Sequence, residues 1–139
     1  MIFQILSPVL LTVLFGCSTI ATYDQSAYEK AVNAKVDTLA LMDKATSDYV
    51  DNEKDIDALN LELAKAYEYE KGRPQNIDTV KQWDILLDPN HNLLGGFMKE
   101  WKESGSLKSA YVADKKVQIG TAFDQITGLE SGKNKPTNQ

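Results

Sequence analysis

Apolar residues recur at helical spacing over most of the chain. From Tyr28 they fall at Val32, Val36, Leu39 and Met42, steps of three and four that put them on one helical face. Glu29, Lys30, Asn33, Lys35, Asp37 and Asp43 fill positions between. Asp24 and Ser26 both suit the N-cap. A second helix is predicted from about Asn52 to Lys71, with Ile56, Leu59, Leu63, Ala66 and Tyr67 inward. It is rich in alanine, leucine, glutamate and lysine, all good helix formers. Gly72-Arg73-Pro74 ends it, with glycine as the C′ residue and proline just beyond. No glycine or proline separates the two patterns. One helix from Asp24 to Lys71 would be roughly 70 Å long, against a radius of gyration near ~14 Å for a domain of this size. A turn near residues 47–52 is preferred; the single long helix is its alternative.

Asn76 caps a shorter predicted helix with Ile77, Val80, Trp83 and Leu87 inward. Asp88 to Asn92 is a loop of turn formers. Leu93 to Lys102 reads as a further helix, with Leu94, Phe97, Met98 and Trp101 on its apolar side. Gly95-Gly96 weakens it by roughly 1 kcal/mol per glycine, a cost that marks a kink or a close helix packing. Ser106 suits the cap of a last helix from about Leu107 to Leu129, with Val112, Ile119, Phe123 and Ile126 in phase. No internal repeat and no β-hairpin signal appears. Amphipathic helices joined by short loops bury their stripes against one another. The expected fold is therefore all-α, an antiparallel bundle of four to five helices over residues 24–131, followed by a disordered polar tail, 132–139.

The N-terminus follows a different pattern. Ile2 to Phe15 is almost wholly apolar, about 14 residues, short of the ~20 that a membrane-spanning helix needs but suited to the core of a signal peptide. Small and polar residues follow it, around the one cysteine of the chain, in Leu14-Phe15-Gly16-Cys17-Ser18. This string resembles the lipobox of bacterial lipoprotein precursors. Leu14, Gly16 and Cys17 match its pattern, while Phe15 stands where smaller residues are commoner. The resemblance covers only the first 20 residues or so. It implies that residues 1–16 are a signal peptide and that Cys17 becomes the first mature residue, lipidated with acyl chains such as palmitate. Ser18, rather than aspartate, is similar to the outer-membrane sorting pattern. The implied location is a bacterial envelope, lipid-anchored at the outer membrane and facing the periplasm or the cell surface. Residues 17–23 would form a short linker, with Ser18 to Tyr23 reaching at most roughly 20 Å.

Composition narrows the partners. The formal net charge is −5, and all charged side chains follow residue 16. An acidic surface does not suit nucleic acid or anionic lipid headgroups, so membrane attachment is expected through acyl chains on Cys17 alone. A single cysteine leaves no intramolecular disulfide, and packing must hold the domain.

No residue pattern points to catalysis, a cofactor or a metal site. His91 is the one histidine and reads as a solvated loop residue. Alone it cannot supply the two Glu-x-x-His pairs of a di-iron bundle. Asp88-x-Asn90-x-Asn92 resembles the opening of an EF-hand calcium loop, but Leu93 stands where glycine is needed and Lys99 where a glutamate closes the shell. Asp51, Glu53, Asp55 and Asp57 read as a charged first turn favoured by the helix dipole, with a weak cation site as the alternative. Tyr67, Trp83 and Trp101 suit a core. Tyr69, off the apolar stripe, and Arg73 are the candidate contacts for an envelope protein partner. Three functions follow in order: a non-enzymatic bundle acting by protein contact, a periplasmic module for a small molecule or cation, and a hydrolase using carboxylates alone.

Overall fold

The computed structural model describes residues 20–133. Cys17, the apolar run before it and residues 134–139 lie outside the described residues; of the tail expected to be disordered, Gly132 caps the last helix and Lys133 is buried, held by hydrogen bonds. Five α-helices and no strand occur among those described: α1 (Gln25–Met42), α2 (Glu53–Lys71), α3 (Ile77–Leu87), α4 (Leu94–Ser104) and α5 (Ser109–Ser131). No helix of the described residues is long and apolar enough to cross a membrane.

α1 is central and packs against both α2 and α5, while α3 bridges α2, α4 and α5. The fold is an all-α bundle. α1 runs away from the N-terminal strap, residues 20–24, and α2 and α5 run back toward it. α3 and α4 together make the return to the far end.

The long-helix alternative fails at residues 47–49, between two short 3₁₀ turns, Asp43–Thr46 and Val50–Asn52. Local bonds build this turn. The Asn52 amide donates to Ser47 Oγ and the Asp48 carbonyl, both at 2.9 Å. Tertiary bonds then lock it: Tyr49 N–H donates to the Gly105 carbonyl at 2.7 Å and Leu107 N–H to that of Ala45 at 2.8 Å. Gly105 holds φ at 79°, a conformation that glycine adopts without steric cost. Helix α5 consequently starts at Ser109, with Lys108 rather than Ser106 at its N-cap.

The core holds Trp83, Trp101, Phe97 and Phe123 in full burial. Trp83 meets Phe123 edge-on at 5.9 Å, and Tyr49 meets Trp101 edge-on at 5.4 Å, the geometry that aromatic quadrupoles favour. Trp101 Nε1 donates to the Ser47 carbonyl at 3.0 Å, another tie on the far turn.

The α1 stripe is displaced from the expected one. Its buried face is Ala27, Ala31, Ala34, Thr38, Leu41 and Met42, and Val36 is 60% exposed. Alanines at steps of four and three let α2 and α5 approach on two sides, and the larger Val32 and Leu39 flank the contact. In α3 the buried set is Thr79, Trp83 and Leu86, so Ile77 faces outward at 67% exposure. Gly72 ends α2 with φ −73° rather than in the left-handed region. That conformation falls three residues later on Gln75, at φ 57°.

Candidate functional site

Charge is concentrated inside the protein at one place, where the last turns of α2 and α5 meet beneath the strap. Glu70 and Glu130 are 2% and 1% exposed. Carboxylates are buried to that degree almost only when paired. Gly72 and Gly132 close their helices, and the chain just beyond each glycine brings up a cation, Arg73 and Lys133.

Arg73 is the centre. Nη1 donates to Glu70 at 2.9 Å and to Glu130 Oε2 at 2.7 Å, while Nη2 donates to Glu130 Oε1 at 3.0 Å and to the Thr22 carbonyl at 2.6 Å. The guanidinium thus forks onto Glu130 and also holds the strap. Lys133 Nζ donates to Glu130 Oε2 at 2.6 Å, to Asn76 Oδ1 at 2.6 Å and to Thr79 Oγ1 at 3.0 Å. The Asn76 amide donates to the Glu70 carbonyl at 3.0 Å and to its carboxylate. Asn76 makes no side-chain cap to α3; its side chain joins the ion network instead.

Four further bonds hold the strap. Ala21 N–H donates to the carbonyl of Gln75 at 2.9 Å, which occupies the turn holding the left-handed φ. Asp24 N–H donates to Glu130 Oε1 at 2.7 Å. The Asp24 carboxylate caps α1 by accepting from Ala27 N–H at 2.9 Å, and its other oxygen accepts from the Tyr69 hydroxyl at 2.9 Å. Ser26, the other cap candidate, lies inside α1.

Electrostatics follow from these contacts. Burial pushes the Glu130 carboxyl up, but hydrogen bonds from Arg73, Lys133 and the Asp24 amide outweigh it and hold the group below its usual range. Burial likewise opposes the Arg73 charge, and its bonds to the two glutamates more than restore it. Asp24 is drawn down despite partial burial by the Ala27 amide, the Tyr69 hydroxyl and Arg73. Tyr69 is pushed up because its hydroxyl donates to Asp24. Two acids and two cations balance, and each Glu130 oxygen accepts two bonds. The two glutamates share Arg73 and do not face each other across an open cleft. Chemically this arrangement is a clamp on backbone.

No family model, curated protein or solved structure matches the chain. The site therefore stands on its geometry.

Tyr69 and Arg73, expected as partner contacts, are both brought here, and what they touch is the chain's own strap. Cys17 lies outside the described residues, three positions before Ile20. His91 is exposed in its loop, 3.6 Å from Asp88. Asp88 caps that loop locally by accepting from Asn90 N–H at 2.8 Å. Buried Lys115 donates to the Asn92 carbonyl at 3.0 Å and its side-chain oxygen at 2.6 Å, so an ammonium already occupies the calcium-like end of the loop. In the acidic cluster Asp55 pairs with Lys44 at 2.6 Å. Among the described residues no group of three or more His, Cys, Asp or Glu could hold a metal ion.

Sequence reasoning missed Glu70, Asn76, Glu130 and Lys133, although a signal was present. Glu70-Lys71-Gly72-Arg73 and Glu130-Ser131-Gly132-Lys133 repeat one pattern, acid-x-Gly-cation. A glutamate in a last helical turn opposes the helix dipole. Two such offences at matching places mark a tertiary partner.

Asp24→Ala is expected to cost about 1 kcal/mol, the usual value of an N-cap, and to release the Tyr69 hydroxyl. Asp24→Asn keeps the acceptor and is expected to lose far less. Urea unfolding of the two variants checks this, and an Asp24→Ala loss within about 0.5 kcal/mol, the range of ordinary surface substitutions, would show that the cap contributes nothing.

Proposed function

We propose that this chain is a lipid-anchored protein of a bacterial envelope, a non-enzymatic helical bundle that acts through contact with a protein partner. One observation carries the reading. The lipobox-like Leu14-Phe15-Gly16-Cys17 ends three residues before Ile20, and the strap is held to the bundle from Ala21 onward, by the Gln75 carbonyl at Ala21 and by the ion network at Thr22 and Asp24. Anchored at Cys17, the bundle would have a tether of roughly 14 Å at most to the first held residue, Ala21, shorter than the reach of a free linker through Tyr23. A structure that fixes its chain entry this firmly suits a body held in one place at a membrane. The outer membrane, facing the periplasm or the surface, is the location that Ser18 favours.

Mass spectrometry of the mature N-terminus tests the anchor. The expected product begins at Cys17 with its acyl chains, and Cys17→Ala is expected to lose both the modification and membrane fractionation. A wild-type chain found uncut and unacylated would overturn the reading.

The second reading, a periplasmic small-molecule or cation module, draws on one feature. A groove of about 430 Å³ opens between the strap, α3 and the end of α5, a volume in the range of ligand sites. A polar metabolite that raises the thermal midpoint would favour it.

A further inference from the structure

Ile20, Ile77 and Leu129 line that groove. They come from the strap, the first turn of α3 and the end of α5, and all three are exposed, Ile20 by 60% and Leu129 by 39%. Single exposed aliphatic residues are ordinary, whereas three from separate elements around one groove form a patch. Asn76, Thr79 and Lys133 also line it. Lys133 spends its three ammonium donors on Glu130, Asn76 and Thr79, and the Asn76 amide is spent on Glu70. The groove's cation is therefore saturated, and apart from the exposed Asp78 carboxylate on its wall the groove offers a visitor mainly aliphatic carbon.

Position identifies the visitor. Acyl chains on Cys17 would enter a bilayer within roughly 10 Å of Ile20, and the clamped strap keeps this end of the bundle from swinging away. We propose that this end docks on the bilayer, with the tips of Ile20, Ile77 and Leu129 seated just below the headgroups; the proposal rests on the anchored reading. Asp78, exposed beside Ile77 on the groove wall, limits the depth, because its carboxylate must stay in headgroup water. The net charge of −5 gives no attraction to anionic lipid, so the docking runs on apolar burial and persists on neutral headgroups at high salt. Three side chains are too few to hold a protein alone. Beside an anchor they set its orientation. The turn at residues 47–52 then points away from the membrane, beyond the 19 residues of α2, roughly 28 Å of helix.

The test uses the full-length chain from bacterial membranes, reconstituted in phosphatidylcholine vesicles. Ile77→Cys, Leu129→Cys and Val50→Cys each receive an environment-sensitive thiol fluorophore, and wild type is treated in parallel, since a thioether-linked Cys17 cannot react. Wild type is expected to stay unlabelled. The labels at positions 77 and 129 are expected to shift to the blue and lose emission to lipids bearing a shallow nitroxide, at low and high salt alike, while the label at position 50 keeps its aqueous spectrum. If wild type stays unlabelled and positions 77 and 129 match position 50, the docking is overturned and the anchor stands. If wild-type Cys17 reacts, the anchor reading falls and the docking falls with it.

Discussion

Replacing Glu130 by alanine is expected to destabilise the fold by about 3–5 kcal/mol, the usual cost of removing one partner from a buried ion pair. The side chain is 1% exposed and accepts from Arg73, Lys133 and the Asp24 amide. Without it Lys133 keeps no carboxylate, and Arg73 keeps only Glu70. A buried positive charge is left over, and the Asp24 amide is orphaned. The strap then keeps its bonds to Arg73, Gln75 and Tyr69 but loses the one at the Asp24 amide. Urea denaturation measures the loss, and a change within about 0.5 kcal/mol, the range of ordinary surface substitutions, would show that the network is not a structural clamp. The same residue sets an acid limit. Its folded pKa lies below its ordinary value of 4.5, so the unfolded chain takes up the proton first as pH falls. The stabilisation is complete above that value and is lost below it, through the depressed folded value. Stability is therefore expected to fall as pH drops from about 4.5, with Asp24 adding in the same sense. Glu130→Gln is expected to start lower at neutral pH and to fall less steeply in acid.

Gly95→Ala is expected to destabilise, against the helix-propensity scale, which favours alanine by roughly 1 kcal/mol. A Cβ at Gly95 would stand 2.2 Å from the Leu87 carbonyl oxygen and 2.5 Å from the Asp88 carbonyl, and one at Gly96 would stand 2.2 Å from the His91 oxygen. These are backbone atoms at the end of α3 and in its following loop, and they cannot swing aside as a side chain would. The net loss is expected at about 1–3 kcal/mol or more, the cost of overpacking a close contact. Gly128→Ala is the control. It lies in α5 with nothing within 4 Å of its Cβ position, and a gain of up to about 1 kcal/mol is expected. Thermal midpoints that move in opposite directions confirm the contrast; two gains would mean that α4 does not sit on the α3 terminus.

Much of the helix pattern is legible in the residue order. Ile56, Leu59, Leu63 and Ala66 in α2, and Val112, Ile119, Phe123 and Ile126 in α5, are the buried positions that their periodicity predicts. In α1 periodicity selects the larger side chains, of which Met42 is buried while Val36 is exposed. That helix is flanked on two sides, and close approach selects Ala27, Ala31 and Ala34 over Val36. Periodicity fails at Ile77 for a related reason: α3 turns Thr79 and Trp83 inward, and Thr79 is needed by Lys133.

The residue order carries an all-helical bundle, breaks near residues 72–76 and 105–106, a turn near 47–52 in preference to one long helix, and a lipobox-like string ahead of them. Those features rest on local periodicity, on turn-forming residues and on one short motif. It is the packing of the helices that brings Glu70, Arg73, Glu130 and Lys133 into one buried network, which holds Thr22 and Asp24 of the strap beside an aliphatic groove. An ion pair between helix ends 57 residues apart leaves no local period. Its partners are set by how α2 and α5 cross α1, and that crossing depends on the alanine face which burial, rather than hydrophobicity, selects.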